Sequence, residues 1–116
     1  PDNIDDAERI SKLNAAQATY AKAHPGQGYA AALAELGPSP GAGLIPAGLA
    51  AGQMHRYRFT LQPGPRDAGG RLKTYAITAR PMKYRYRTMR SFFTDESGVI
   101  RATSENRAAT AQDPPW

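Results

Sequence analysis

The line Ile10, Leu13, Gln17, Tyr20 and His24 recurs at spacings of three and four, with Ala7, Ala16 and Ala21 beside it. This spacing predicts a helix over residues 1–24 with one narrow, small-residue-rich stripe, a shape suited to lying on a sheet. Asp2, Asp5, Asp6 and Glu8 place negative charge at the helix start, and Asp5 with Glu8 has capping-box spacing. His24-Pro25-Gly26 ends the element, because the residue before proline resists helical geometry. Tyr29 to Leu36 reads as two further helical turns closed by Gly37-Pro38. Residues 38–52 lose all periodicity and read as an irregular crossing loop pinned by Leu44, Ile45 and Leu49.

Beyond this loop the period changes to two. In His55 to Leu61, Tyr57, Phe59 and Leu61 alternate with Arg56, Arg58 and Thr60, the signature of a half-buried strand. Residues 63–70 form a Pro- and Gly-rich link, and Leu72 to Ala79 reads as the return strand, with Arg80-Pro81 interrupting pairing. Met82 to Arg90 leads into a hairpin, Ser91–Thr94 and Val99–Thr103, around which the chain is organised. In its turn, Asp95 and Ser97 supply side-chain acceptors and Gly98 the left-handed backbone position. A two-stranded ribbon is marginal alone and needs a covering element. The expectation is a single α+β domain, 1–116: a helix (1–24), a short helix and loop (25–53), an antiparallel sheet of about four strands (54–104), and an extended tail (105–116). Trp116, at the end of that tail, either docks on the body or stands clear of it.

Composition sharpens this picture mainly through charge. The chain has 116 residues and a formal net charge of +5. Residues 54–90 hold ten basic residues against the single acid Asp67, whereas the flanking segments are faintly acidic. A basic middle between acidic ends favours a polyanionic partner or the acidic end of another copy. With no cysteine, disulfides and thiolate metal sites are excluded. No apolar run reaches the length of a transmembrane helix.

Lys83-Tyr84-Arg85-Tyr86-Arg87 alternates base and aromatic, followed by Arg90. On a strand the tyrosines share one face and the bases the other. Such a strand is either an edge defended by charge or, with Arg56 and Arg58, a surface for subunit contact or for the phosphates and bases of DNA. Asp95 and Glu96 are candidate calcium ligands, but a calcium site needs six to eight oxygens, so help from Asn106 or Asp113 would be required. The alternative is a turn whose acids cap backbone N–H groups. His24 and His55 are isolated, and no nucleophile elbow, phosphate loop or paired-carboxylate motif occurs. The expected activity is not enzymatic, and no cofactor is expected apart from the calcium candidate.

The ordered blocks resemble the type IV pilins and type II secretion pseudopilins. These blocks are Ile10, Leu13, Ala18, Thr19 and Tyr20; Gly28, Tyr29, Leu33, Leu36 and Gly37; Tyr57, Phe59, Pro63 and Gly64; and Tyr75, Ile77, Ala79 and Pro81. The last runs from Phe93, Thr94 and Asp95 through Ser97, Gly98, Val99, Ile100 and Arg101 to Asp113, Pro114 and Pro115. The resemblance implies an extracellular, structural filament subunit whose partners are other pilin subunits. It also implies an apolar helix half upstream of Pro1, through which alone the subunit would be membrane-anchored before assembly. In the filament, the basic residues of 54–90 and the acids Asp2, Asp5, Asp6, Glu8, Asp95, Glu96 and Glu105 are the candidate complementary surfaces. Residues 81–90 depart from the Gly-rich passage of the family, which leaves a DNA-binding minor pilin as the alternative. A weaker third reading is an adhesin displaying Trp116 and the 38–52 loop.

Overall fold

The computed structural model describes residues 3–84 and 89–116. Helix α1, Asn3–Ala23, lies on one face of a five-stranded antiparallel sheet. Ile10, Leu13, Gln17 and Tyr20 are all buried, as are Ala7 and Ala16, so the predicted stripe is the packing face. The helix is already formed at Asn3, which puts Asp5 inside its first turn rather than at a cap. The Asp5–Glu8 capping box expected from the spacing is therefore not the helix start.

The sheet is a meander in strand order β1-β2-β3-β4-β5: β1 Gln53–Met54, β2 Tyr57–Pro63, β3 Tyr75–Pro81, β4 Ser91–Asp95 and β5 Arg101–Thr103. Five strands replace the four expected. The extra one, β1, exists because His55 and Arg56 form a two-residue turn with φ of 52° and 66°. The strand expected from His55 thus begins at Tyr57. Pro81 does not interrupt β3 but ends it opposite Tyr57, and the Met82 N–H donates to the Arg56 carbonyl at 2.8 Å. A proline is tolerated there because it only forgoes one donor at a strand terminus. Leu72, expected to open the return strand, instead makes isolated bridges to Gly28 and Arg66.

Register places Tyr57, Phe59, Leu61, Ile77, Ala79, Phe92, Thr94 and Ala102 on the face towards α1. Two polar side chains of α1 join this apolar interface. Asn14 donates to the Thr94 hydroxyl at 2.8 Å and accepts from the Tyr75 hydroxyl at 2.7 Å, tying the helix to β3 and β4. Gln17, fully buried, accepts from the Ala30 N–H at 2.7 Å and donates to the Ala30 carbonyl at 3.0 Å. That pairing explains why the expected helix over 29–36 shrinks to a single 3₁₀ turn at Leu33–Leu36. Ala30 spends both backbone groups on Gln17 and has none left for a helical ladder.

Ile45 and Leu49 are buried and pin the crossing loop as expected, whereas Leu44 is exposed. One helical turn, α2 Ala47–Ala50, interrupts that loop. At the other end, the hairpin turn uses the expected residues, but its second strand opens at Arg101 rather than at Val99. The Asp95 carboxylate accepts from the Ser97 N–H and hydroxyl, and Gly98 takes φ 80°. The C-terminal tail docks. Pro115 bridges Arg101, the Trp116 N–H donates to the Ile100 carbonyl at 2.7 Å, and the indole meets Phe92 edge-on.

A candidate subunit-contact surface

The sheet face turned away from α1 carries the polar parity of each strand. Arg58, Thr60 and Gln62 of β2 pair there with Arg80, Thr78 and Ala76 of β3, and Thr78 and Ala76 pair with Phe93 and Asp95 of β4. The charge on this face is polarised. Arg58 and Arg80 stand directly opposite one another at one end, Arg101 of β5 lies beside Phe93 with its Nη1 donating to the Asp113 carbonyl at 2.8 Å, and Asp95 occupies the other end.

Like charges directly opposed across an antiparallel pair are destabilising unless something neutralises them. Neither Arg58 nor Arg80 closes an ion pair among the described residues. Arg58 is exposed. Arg80 is half-buried, its Nη2 donating to Asn106 Oδ1 at 3.2 Å while its Nε is buried without an acceptor among the described residues. Arg80 entered the sequence-derived candidates only as one of the ten bases of 54–90, without a place of its own. Its parity with Thr78 and Ala76 was the available signal, but its apposition to Arg58 depends on a register that no motif encodes.

Arg56 lies in the exposed β1–β2 turn, and Lys83 is exposed just past β3. The Tyr84 hydroxyl donates to the Ser104 carbonyl at 2.7 Å, which anchors that ring to the body. Arg85, Tyr86 and Arg87 lie outside the described residues. Arg90 is half-buried with its guanidinium 5.4 Å from the Trp116 ring centre, a cation–π arrangement, and its carbonyl accepts from the Tyr57 hydroxyl. The structure thus brings Arg56, Arg58 and Lys83 to one end of the sheet and commits Arg90 to holding the tail.

The turn residues are engaged locally. Ser97 occupies the Asp95 carboxylate, and Glu96 accepts from the Tyr75 N–H at 3.1 Å. Asn106 accepts from Arg80. Asp113 is gripped by both Nη atoms of Arg107 at 2.6 and 2.9 Å and by the Thr110 N–H at 2.8 Å, which holds its carboxyl down to about 2. Each acid put forward for calcium already has a partner inside the protein. Among the described residues no three His, Asp or Glu side chains converge as a metal set.

Asp6, expected on an acidic surface, is instead buried against the sheet, so it leaves the list of contact acids. Burial pushes its carboxyl up to about 6, offset in part by the Arg9 guanidinium at 3.1 Å and by His55. Burial also pushes the Tyr57 phenol up to about 12, with Asp6 adding to the effect. Asp5 and Glu8 remain exposed on α1 and close no ion pair among the described residues. An open groove of about 240 Å³ runs between α1 and the crossing loop, lined by Lys12, Ala15, Ala16, Thr19 and Leu44 to Pro46. It gathers no convergent polar groups of the kind that orient a small ligand.

No helix among the described residues is long and apolar enough to cross a membrane. No protein-family model, curated protein or solved structure matches this chain.

Proposed function

We propose that the chain is a structural, non-enzymatic subunit, or the folded domain of one, in an extracellular helical filament of the type IV pilus or pseudopilus kind. The observation that carries this reading is the architecture itself: one amphipathic helix laid along one side of an antiparallel meander. Asn14 and Gln17 lock that helix to the body, as a load-transmitting shell domain requires. The ordered sequence blocks that resemble those of the pilins support the reading, four of the five lying on the helix, the sheet, the hairpin and the tail and the second in the loop and 3₁₀ turn between them. The first lies on α1, the third and fourth on β2 and β3, and the last on the hairpin and tail. The flat shape, 43 × 30 × 17 Å, also suits side-by-side packing around an axis.

Immunogold labelling of filaments sheared from the producing cells tests the reading. Regular label along the filaments is expected, lost when the coding sequence is deleted. Filaments that persist unlabelled would refute it.

A second reading, capture of DNA by the basic end of the sheet, draws support from the exposed Arg56, Arg58 and Lys83. It is the weaker one, because a nucleic-acid strand crossing the same face would also meet Asp95.

A further inference from the structure

Two pairs of neighbouring like charges that close no ion pair among the described residues lie on opposite layers of the molecule. On the outer sheet face, Arg58 and Arg80 are direct cross-strand neighbours. Side chains so placed have Cβ atoms about 4.5–5.5 Å apart. On the helix layer, Asp5 and Glu8 are three residues apart, which puts their Cβ atoms about 5–6 Å apart on one side of α1. The two spacings agree. Lys12, one turn beyond Glu8, closes no ion pair with it.

The pairs cannot meet within one chain. Helix α1 packs on the inner face of the sheet, and Arg58 and Arg80 project from the other. We propose that the Arg58–Arg80 pair is a clamp for the Asp5 and Glu8 carboxylates of a second copy of this chain. Guanidinium forks take carboxylates through paired, charge-assisted hydrogen bonds. Arg80 is the pre-positioned half of the clamp, steadied by Asn106, and Arg58 is the exposed half that closes. The polarity of the face favours a protein partner over a polyphosphate, because Asp95 at the far end repels a continuous run of phosphates. The contact joins unlike surfaces on opposite sides of a body only 17 Å thick in its shortest dimension, so it is heterologous and repeats from copy to copy without closing a pair. It rests on the filament reading and names the contact that would propagate it.

Sedimentation velocity across a concentration series, at low and high salt, tests the clamp with the purified chain. The wild type self-associates at low salt and dissociates as salt rises. Arg58→Glu and Glu8→Lys each weaken association about tenfold or more, since each sets like charges face to face. The double variant, with both changes in one chain, recovers association, because each new glutamate meets a new lysine on the next copy. Thermal melting confirms that all three variants are folded. A monomeric wild type, or a double variant no better than the singles, overturns the clamp. So does a fluorescent single-stranded oligonucleotide that binds the wild type and is lost with Arg58→Glu while the double variant fails to recover association. If labelled filaments form normally with either single variant, the clamp is wrong and the filament reading stands. If no filament carries the wild-type chain, the filament reading falls whatever the chain does in solution.

Discussion

Replacing Gln17 with leucine keeps a side chain of similar size but removes both hydrogen-bonding atoms from a site with no access to water. Gln17 and Ala30 are each fully buried, and they exchange two hydrogen bonds of 2.7 and 3.0 Å. The substitution strands the Ala30 N–H and C=O together. Each unsatisfied buried group costs about 1–3 kcal/mol. The added apolar surface of leucine returns about 1–2 kcal/mol. A net loss of about 0–5 kcal/mol follows, centred on about 2.5 kcal/mol, which is about 10 °C in Tm for a chain of this length. Gln17→Glu is the diagnostic companion. A protonated carboxylic acid can accept from the Ala30 N–H and donate to its carbonyl, whereas a carboxylate turns an oxygen without a proton towards that carbonyl. Burial and the facing carbonyl raise the folded-state pKa of the introduced acid above its unfolded value near about 4.3. The stability it contributes is therefore full below that value and lost as pH rises through the folded pKa. Urea denaturation of both variants at pH 4 and pH 7, each taken as a difference from wild type, is the assay. If Gln17→Leu is more stable than wild type, or Gln17→Glu shows no pH dependence beyond wild type, the account of how residues 29–31 are held to the helix is wrong.

Three further outcomes are expected. The folded-state pKa of Asp6 is raised to about 6, so its contribution is full below pH 4 and lost as pH climbs through 6. Wild type should lose at most about 3 kcal/mol over that interval, and Asp6→Asn should flatten the profile in denaturant titrations. Asp113 has the opposite sign. Its pKa is depressed by Arg107, so the tail clasp holds above pH 4 and fails as pH falls through about 2. Arg107→Ala should release the tail at neutral pH, read as a red shift of emission from Trp116, the single tryptophan, and as faster proteolysis after residue 104. At the hairpin, Gly98→Ala meets no atom within 4 Å, so it should cost only the left-handed backbone strain, about 1 kcal/mol in Tm-derived stability.

The sequence was most informative where periodicity is enforced by burial. The stripe from Ile10 to Tyr20 and the alternation of Tyr57, Phe59 and Leu61 are legible because each period matches one buried face. The hairpin turn was legible because Asp95, Ser97 and Gly98 act locally. What escaped depends on contacts between distant residues. The Tyr29–Leu36 segment has helical composition, but a glutamine thirteen residues upstream takes the backbone groups of Ala30. β1 was hidden because His55 and Arg56, rather than an Asn-Gly pair, adopt its left-handed turn. Asp6 has the sequence position of a solvated helix-start acid, and only the sheet beneath it makes it a buried one. Arg80 became a partner of Arg58 through register, and Asp113 a partner of Arg107 through the fold of the tail. Charge segregation was plain from composition, but its division between the two layers was not.

The central claim is that this helix-on-meander body forms the repeating outer layer of a filament. Helical reconstruction by electron cryomicroscopy of filaments sheared from the producing cells, with mass spectrometry of the same sample, tests it most directly. The account predicts that peptides of this chain are present and that a body of 43 × 30 × 17 Å repeats around the outside with α1 running along its inner side. Filaments whose repeating density cannot hold a five-stranded meander under one helix, or that contain no peptide of this chain, would contradict it.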